Sequence, residues 1–291
     1  MVAFCLKFTE RNGHYNRLMK YIYGRNVFIT GGSSGIGAAA AEFLAESGFV
    51  VFAASRNPPD EVKRFDGGGE IHPVALDVRD MSSVENAAQY VLAQADIGVI
   101  LHCAGVGIAC AGEEFPEDSV MNLMETNFIG VLRVNSCFLP HLRSRGCGLC
   151  IMVGSVAGVF PIPYQSHYSA SKAALDLYSG SLRLELERFG VRVSLVMPGD
   201  TRTEFTGARI YAIDEASPFY NDCLCAVGKM EKDEQNGYPP TTVAKVILKL
   251  IEAKKPSARK TVGGSYKLLM LLRGYLPDCA VFGLLRRIYL R

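Results

Sequence analysis

Short apolar segments alternate with longer, more polar segments through most of the 291-residue chain. The clearest apolar segments, 98–103 and 149–155, do not alternate polar with apolar positions. That pattern predicts strands buried on both faces, as in parallel sheets covered by helices. We therefore predict an α/β fold, a doubly wound parallel sheet of the Rossmann type with three layers. The predicted strands are 26–30, 49–55, 71–78, 98–103, 149–155 and 191–197, and the predicted helices are 37–47, 81–94, 118–142, 165–189 and 241–251.

Changes in composition at both ends divide the chain into three predicted parts. Residues 1–25 carry five basic side chains among aromatic and aliphatic ones and are predicted to be a basic N-terminal extension. Residues 26–260 form a single predicted Rossmann-type domain, in which the regular pattern dissolves into loop and short helix at about 200–238. Thr241, which follows two prolines, is the predicted cap of the last helix in this domain. Residues 261–291 form a C-terminal segment that mixes leucines with basic residues.

Overall composition argues against several classes of protein. Hydrophobic residues make up 49% of the chain and charged residues 21%, which is typical of a globular protein. The net charge of +2 argues against nucleic acid as the main partner. Nine cysteines without a secretory signal indicate reduced thiols and a cytoplasmic location. Cys147 and Cys150 have the spacing of half a zinc site, but no second pair follows, so we predict no metal site.

A glycine-rich turn follows the first predicted strand and opens the first predicted helix. The sequence from Thr30 to Gly37 is TGGSSGIG. Glycines in such a turn let the backbone approach a pyrophosphate, and the helix N-terminus faces the negative charge. Nucleotide binding is the favoured interpretation, and a purely structural turn is the alternative. The candidate cofactor-binding residues here are Gly31, Ser33, Ser34, Gly35, Ile36 and Gly37.

The end of the second predicted strand bears on cofactor choice. A dinucleotide fold places an acid there to bind the ribose of NAD, or an arginine to accommodate the 2′-phosphate of NADP. This chain has Arg56 and no carboxylate at that position, which predicts NADP(H). The alternative is that Arg56 is an ordinary surface residue. Asp77, after the third predicted strand, is a candidate to accept a hydrogen bond from adenine or to cap the next helix.

Three residues are spaced for proton transfer. Tyr168 and Lys172 stand four residues apart at the start of a predicted helix and share one face of it. An ammonium beside a phenol favours the phenolate, so we expect Lys172 to lower the pKa of Tyr168 from about 10. Tyr168 then serves as a general acid and base. Ser155, just after the fifth predicted strand, is placed to donate to the same substrate oxygen.

With these motifs the sequence resembles the short-chain dehydrogenase/reductase family, and within it the members that act on hydroxysteroids and retinols. The resemblance implies a hydride transfer between a nicotinamide cofactor and a carbonyl or alcohol carbon. It also implies that Asn127 joins the catalytic residues by holding a water that links Lys172 to solvent. The matching positions are 30–37, Asp77, Asn127, Gly154, Ser155, 168–172, Pro198, Gly199 and Thr203. The cofactor contacts that it implies beyond the glycine-rich turn, Arg56 and Asp77 are Val78, Cys103, Ala104, Gly105, Tyr168, Lys172, Pro198, Gly199, Thr201 and Thr203.

One departure from the family stands after the fourth predicted strand. The family has Asn-Asn-Ala-Gly there, and this chain has His102 and Cys103 before Ala104 and Gly105. We expect His102 to pack beneath the cofactor, with a role as an extra catalyst as the alternative. His167, beside Tyr168, is expected at a helix start or in a pocket wall.

The predicted function is an NADP-dependent oxidoreductase for a small lipophilic carbonyl or alcohol: a steroid, retinoid or lipid ketone. The loop at 200–238 is the predicted substrate loop, and the apolar residues at 160–164 and 205–220 either line a pocket or cover the core. The alternatives are a non-catalytic NADP-binding sensor or scaffold, and a sugar-nucleotide epimerase or dehydratase. Residues 266–291 are a candidate for peripheral contact with an anionic membrane. The family resemblance implies a homodimer or homotetramer that pairs the helices at 118–142 and 165–189.

Overall fold

An eight-stranded sheet forms the middle of the fold, and the structure, a computed structural model, describes residues 21–290. All neighbouring strands in this sheet are parallel except the short antiparallel pair at one edge. The strands in chain order are β1 (Asn26–Thr30), β2 (Val50–Ser55), β3 (Lys63–Arg64), β4 (Glu70–Ala75), β5 (Ile97–His102), β6 (Ile108–Ala109), β7 (Gly148–Val153), β8 (Val191–Pro198), β9 (Ile210–Tyr211) and β10 (Arg259–Val262). Strands β6 and β9 pair separately, as a small parallel ladder.

The order of the strands locates the ligand cleft. Across the sheet the strands run β10, β8, β7, β5, β1, β2, β4 and β3. The chain therefore builds outward from β1 through β2 and β4, and then returns to place β5 on the other side of β1. Ligands of open α/β sheets bind at such a switch point, outside the carboxyl ends of the strands. The doubly wound parallel sheet that the sequence predicts is confirmed.

Helices cover both faces of the sheet and give the fold its three layers. Helices α1 and α7 pack against each other on one face, and α2 packs against α4 on the other, where α5 also lies. Every residue of β5 and β7 is buried between these layers, as their apolar sequences require. The helices are α1 (Gly35–Glu46), α2 (Met81–Gln94), α3 (Glu117–Met124), α4 (Gly130–Arg145), α5 (Ser166–Leu186), α6 (Tyr220–Gln235), α7 (Pro240–Ile251), α8 (Gly264–Arg273) and α9 (Asp278–Tyr289).

Three helix predictions need correction. The single helix predicted at 118–142 is divided into α3 and α4 by a π-helical turn, Glu125–Ile129. The region at 200–238, predicted as loop and short helix, contains the 16-residue helix α6. Thr241 is not a cap, because α7 begins one residue earlier, at Pro240. Proline suits a first helical position, where its missing N–H would have no partner in the helix.

Both predicted domain boundaries fall within packed structure. Tyr23 lies before the predicted boundary at 25, but it packs on the domain that follows. It is buried, and its hydroxyl donates to the Ala253 carbonyl over 2.9 Å. The boundary at 260 lies inside β10, which pairs with β8. Residues 1–20 of the predicted extension lie outside the described residues.

The C-terminal segment packs beside the carboxyl end of β7. Val281 and Leu285 of α9 pack on the buried Phe160, which follows β7 and a short 3₁₀ turn. Tyr289 packs against Ile162 in the same region. None of the helices in residues 21–290 is both long enough and apolar enough to cross a bilayer.

Candidate active site

A cleft of about 210 Å³ opens at the switch point between β1 and β5. It contains many, but not all, of the predicted cofactor-binding residues. Its lining includes Gly31, Ser33, Ser34, Arg56, Asp77, Val78, Ala104 and Gly105. Gly35, Ile36, Gly37 and Cys103 are not part of this lining. Gly37 instead lets α1 pack on the turn, because a Cβ there would lie 2.0 Å from the Gly31 carbonyl oxygen.

The N-terminus of α1 already holds an anion. The Gly35 N–H donates to a carboxylate oxygen of Glu204 over 3.0 Å. Gly35 has a φ of +53°, a left-handed conformation that favours glycine. A carboxylate and a phosphate are both anions that accept hydrogen bonds from a helix N-terminus. Local sequence patterns give no signal for Glu204, since 169 residues separate it from Gly35.

Asp77 is paired with an arginine at the other end of the cleft. The Arg79 guanidinium donates to both Asp77 carboxylate oxygens, at 2.6 Å for Nη2 and 3.0 Å for Nε, and donates to the Asn122 side chain at 2.8 Å. The bonds from Arg79 hold the pKa of Asp77 below its usual value, and the charge of Arg56 adds to this effect. Asp77 does not cap α2, because Asp80 does so by accepting from the Ser82 N–H. Arg79 was missed by the sequence analysis.

Asn127 lies in the π-helical turn and fastens the segment that follows β5. Its side-chain oxygen accepts from the Val106 N–H at 2.8 Å, and its amide nitrogen donates to the Val106 carbonyl at 3.0 Å. The amide nitrogen also donates to the Ser171 hydroxyl at 3.1 Å, which ties the turn to α5. The amide oxygen is also close to Gly105, as is the Lys172 ammonium. Asn127 therefore positions the backbone beside the predicted catalytic lysine.

Lys172 is buried, with its ammonium held by the backbone. Its Nζ donates to the Val153 carbonyl, at the end of β7, over 3.0 Å. The same atom lies 5.7 Å from the centre of the Tyr168 ring. Burial lowers the pKa of Lys172 to about 8, because the charged form loses its contact with water. The group therefore gains and loses a proton within reach of neutral pH.

Tyr168 and Ser155 are brought together by α5 and the turn after β7. The Ser155 hydroxyl accepts from the Ala157 N–H at 3.1 Å and forms a hydrogen bond with the Tyr168 phenol. Burial raises the pKa of Tyr168 to about 12, against the opposing effect of the Ser155 hydrogen bond. The expectation that Lys172 brings this pKa below 10 is therefore wrong. Desolvation of the phenolate outweighs both the Ser155 hydrogen bond and the charge of Arg209, so Tyr168 holds its proton at neutral pH.

The two histidines near the site have structural contacts. His102 is buried, and its Nε2 lies 2.9 Å from the Asn135 side-chain oxygen. Burial lowers the pKa of His102 to about 4, so the ring is neutral. Asn135 also donates to the Tyr178 hydroxyl at 3.1 Å, so it joins β5 to α5. His167 lies 3.3 Å from the Cys110 sulfur, at the start of α5.

The loop after β8 contacts Tyr168 through Phe205. The Thr201 hydroxyl donates to the Gly199 carbonyl over 3.0 Å, and the Thr203 hydroxyl accepts from the Phe205 N–H over 3.3 Å. The Phe205 ring centre lies 5.8 Å from that of Tyr168, which brings this loop to the predicted catalytic residues. Pro198 is buried at the end of β8.

Two contacts that the sequence analysis missed hold this loop in place. The Tyr266 ring lies against Gly199, where a Cβ would come within 2.1 Å of it, and its hydroxyl donates to the Asp200 carboxylate. The fully buried Arg209 side chain pairs with Glu234 at 2.6 Å and with Glu231 at 3.2 Å. These contacts tie the loop to α8 and α6. Each joins residues distant in sequence, so local patterns gave no signal for it.

Comparison with known proteins identifies the family. The sequence profile of the short chain dehydrogenase family matches residues 25–212. The chain belongs to this family. A 3-ketodihydrosphingosine reductase from Bacteroides thetaiotaomicron is 36% identical over 87% of this chain and 93% of that protein. The human 17-beta-hydroxysteroid dehydrogenase type 1 is 31% identical, over 87% of this chain and 81% of that protein.

A solved structure supports the same assignment. A short-chain dehydrogenase from Streptomyces avermitilis matches with a TM-score of 0.72 and 29% identity, over 87% of this chain and 95% of that one. The protein is therefore an oxidoreductase of the short-chain family that binds a nicotinamide cofactor and acts on small carbonyl or alcohol substrates. The residues present fit the cofactor, since Gly31, Ser33 and Ser34 line the cleft and the Gly35 N–H accommodates an anion.

Glu204 is predicted to compete with the cofactor. Because its carboxylate occupies the α1 N-terminus, replacing Glu204 with glutamine removes a negative charge from the place where we expect the cofactor diphosphate to bind. We expect Glu204→Gln to lower the dissociation constant for the nicotinamide cofactor roughly two- to fivefold. The measurement is a fluorescence or calorimetric titration of the protein with NADPH.

The matched control is Glu215→Gln, an exposed glutamate between β9 and α6. It removes the same charge without a contact to α1, so its affinity for NADPH should stay at the wild-type value. An equal gain in both variants would mean that only the general charge of the loop matters, and weaker binding by Glu204→Gln would contradict the competition.

Proposed function

We propose that the protein is an NADP-dependent oxidoreductase that transfers a hydride between the nicotinamide and the carbonyl or secondary alcohol of a lipophilic substrate. The observation that carries this proposal is the meeting of Ser155, Tyr168 and Lys172 at the carboxyl end of β7. Lys172 lies close to Gly105, which lines the cleft at the place where a dinucleotide fold binds its cofactor. Steroids, retinoids and lipid ketones are the substrate classes we consider.

The chemistry divides between the cofactor and the chain. Bound NADPH supplies the hydride. Tyr168, protonated at neutral pH, donates a proton to the carbonyl oxygen, and the Ser155 hydroxyl donates a hydrogen bond to the same oxygen. Lys172 exchanges protons near pH 8, so it is suited to replace the proton that Tyr168 gives up. In the reverse direction Tyr168 takes the alcohol proton.

The residues that hold the cofactor follow from the lining of the cleft. We propose that Gly31, Ser33, Ser34 and the N-terminus of α1 bind the phosphates. The end of β2 carries Arg56 and no carboxylate, which favours the 2′-phosphate of NADP over the free ribose of NAD. Arg79 supports the same preference, because it neutralises Asp77, the acid of the cleft lining.

The substrate region is apolar. Phe205 lies against Tyr168, and Ile162 and Tyr164 pack against the cluster that includes the buried face of α6. Phe160 is itself buried beneath α9. The relative from Bacteroides thetaiotaomicron is named for a lipid ketone, which supports a long-chain lipid ketone among the classes above.

We expect the protein to form a homodimer or homotetramer. Leu177 and Leu184 of α5 are exposed, and their seven-residue spacing places them on one face of the helix. A family helix that pairs between subunits would cover such a face. We also propose that the protein is located in the cytoplasm.

The first test is Tyr168→Phe. We expect turnover of a long-chain 3-keto lipid with NADPH to fall about a thousandfold, because the ring keeps its packing and loses the proton it donates. The measurement is NADPH absorbance against lipid ketones, ketosteroids, retinal and small polar ketones, with NADPH affinity measured separately. Tyr178→Phe on the same helix is the control, since its hydroxyl bonds Asn135 and not Ser155. Wild-type turnover by Tyr168→Phe would contradict the assigned acid.

Cofactor preference is tested by Arg56→Asp. Reversing the charge places a carboxylate where the 2′-phosphate binds, so we expect NADPH affinity to fall about a hundredfold. NADH affinity should stay nearly unchanged, because NADH lacks that phosphate. Arg64→Asp, an exposed substitution at the sheet edge, is the charge control. Equal losses for both cofactors would refute Arg56 as the residue that reads the phosphate.

A further inference from the structure

The outward face of α8 and the turn after it presents an uncovered apolar stripe. Leu268, Leu271, Leu272 and Tyr275 are 58%, 61%, 41% and 80% exposed. Their spacing of three, one and three residues places all four within an arc of about 100° on a helix. Most exposed apolar residues occur singly on a protein surface, whereas these four form one continuous face. We call these four residues the α8 stripe.

The opposite face of α8 prevents the helix from rotating to bury the stripe. Leu269 and Met270 pack into the cluster around Phe160, and Tyr266 lies on Gly199 of the loop after β8. Turning these side chains outward would expose them and uncover the buried Phe160. The stripe is therefore held toward solvent by the packing of the opposite face of α8.

The charge around the stripe is positive. Residues 264–290 contain four basic side chains and one acidic one, a net charge of +3, whereas the whole chain carries +2. Arg273 pairs with the single acid, Asp278, at 2.8 Å. Within the described residues, no ion pair involves Lys267, Arg286 or Arg287. The exposed Phe282 and Leu284 lie on α9 close to these charges.

We propose that the α8 stripe docks on an anionic membrane surface, with α8 in the plane of the interface. An amphipathic helix with apolar residues on one side and basic residues beside them binds such a surface by burial and by charge. A second copy of this chain is the less favourable occupant, because a two-fold contact would bring the same positive segment against itself. Docking would place the wall of the substrate region beside the lipid phase. The proposal does not depend on the identity of the substrate.

The test uses the full chain in a vesicle sedimentation assay. One set of vesicles contains phosphatidylcholine alone, and the other contains phosphatidylserine as well. We expect the wild type to partition onto the anionic vesicles, and the variant with Leu271→Glu and Leu272→Glu to lose at least about tenfold in partition. The control carries Met81→Glu and Tyr90→Glu, which add the same charge at exposed apolar positions on α2 and should keep wild-type partition.

A second variant separates charge from burial. The double variant Arg286→Gln, Arg287→Gln should partition onto anionic vesicles about tenfold less or weaker still, because each basic residue near an anionic surface strengthens binding severalfold. Its partition onto phosphatidylcholine vesicles should change little. Unchanged NADPH affinity shows that each variant is folded. Absence of wild-type binding to anionic vesicles would overturn the proposal. A second outcome would also overturn it: the stripe variant is a monomer while the wild type is an oligomer that does not bind vesicles. The stripe would then join two copies of the chain.

Discussion

The architecture of the site depends on how closely the first turn approaches the end of β5. A Cβ on Gly31 would lie 2.7 Å from the Ala104 nitrogen, and one on Gly37 would lie 2.0 Å from the Gly31 carbonyl oxygen. The Cys103 N–H completes the junction by donating to the Thr30 carbonyl over 3.0 Å. Only glycine allows β1, α1 and β5 to meet in this way. That junction aims the N-terminus of α1 into the cleft and leaves room between the strand ends for a dinucleotide.

Burial then sets the chemistry on the other side of the cleft. The same desolvation raises the pKa of Tyr168 to about 12 and lowers that of Lys172 to about 8. A tyrosine that keeps its proton is ready to act as an acid, and a lysine that titrates near neutral pH can resupply it. Asn127 supports both, because its amide fastens the backbone at Val106 and the Ser171 hydroxyl of α5. The central sheet is joined to α5 by a different route from the family pattern, through His102, Asn135 and Tyr178.

The sequence allowed prediction of the features that local pattern determines. Apolar strands predict burial on both faces and hence the fold class, and the glycine turn predicts the phosphate end of the cleft. The four-residue spacing of Tyr168 and Lys172 predicts that they share one face of a helix. Contacts between residues distant in sequence could not be predicted in this way. Glu204 reaches Gly35 across 169 residues, and Tyr266 meets Asp200 across 66. The pKa of Tyr168 was predicted in the wrong direction because spacing shows a neighbouring charge but not the water that folding removes.

We propose that this chain transfers a hydride between NADP(H) and the carbonyl or alcohol carbon of a lipophilic substrate. The most direct measurement uses NADPH deuterated at the transferable position of the nicotinamide, with a long-chain 3-keto lipid as acceptor and mass spectrometry of the product. We expect an alcohol that carries a single deuterium on its carbinol carbon. An alcohol without deuterium, or no alcohol from any lipophilic ketone by a protein that binds NADPH, would contradict it.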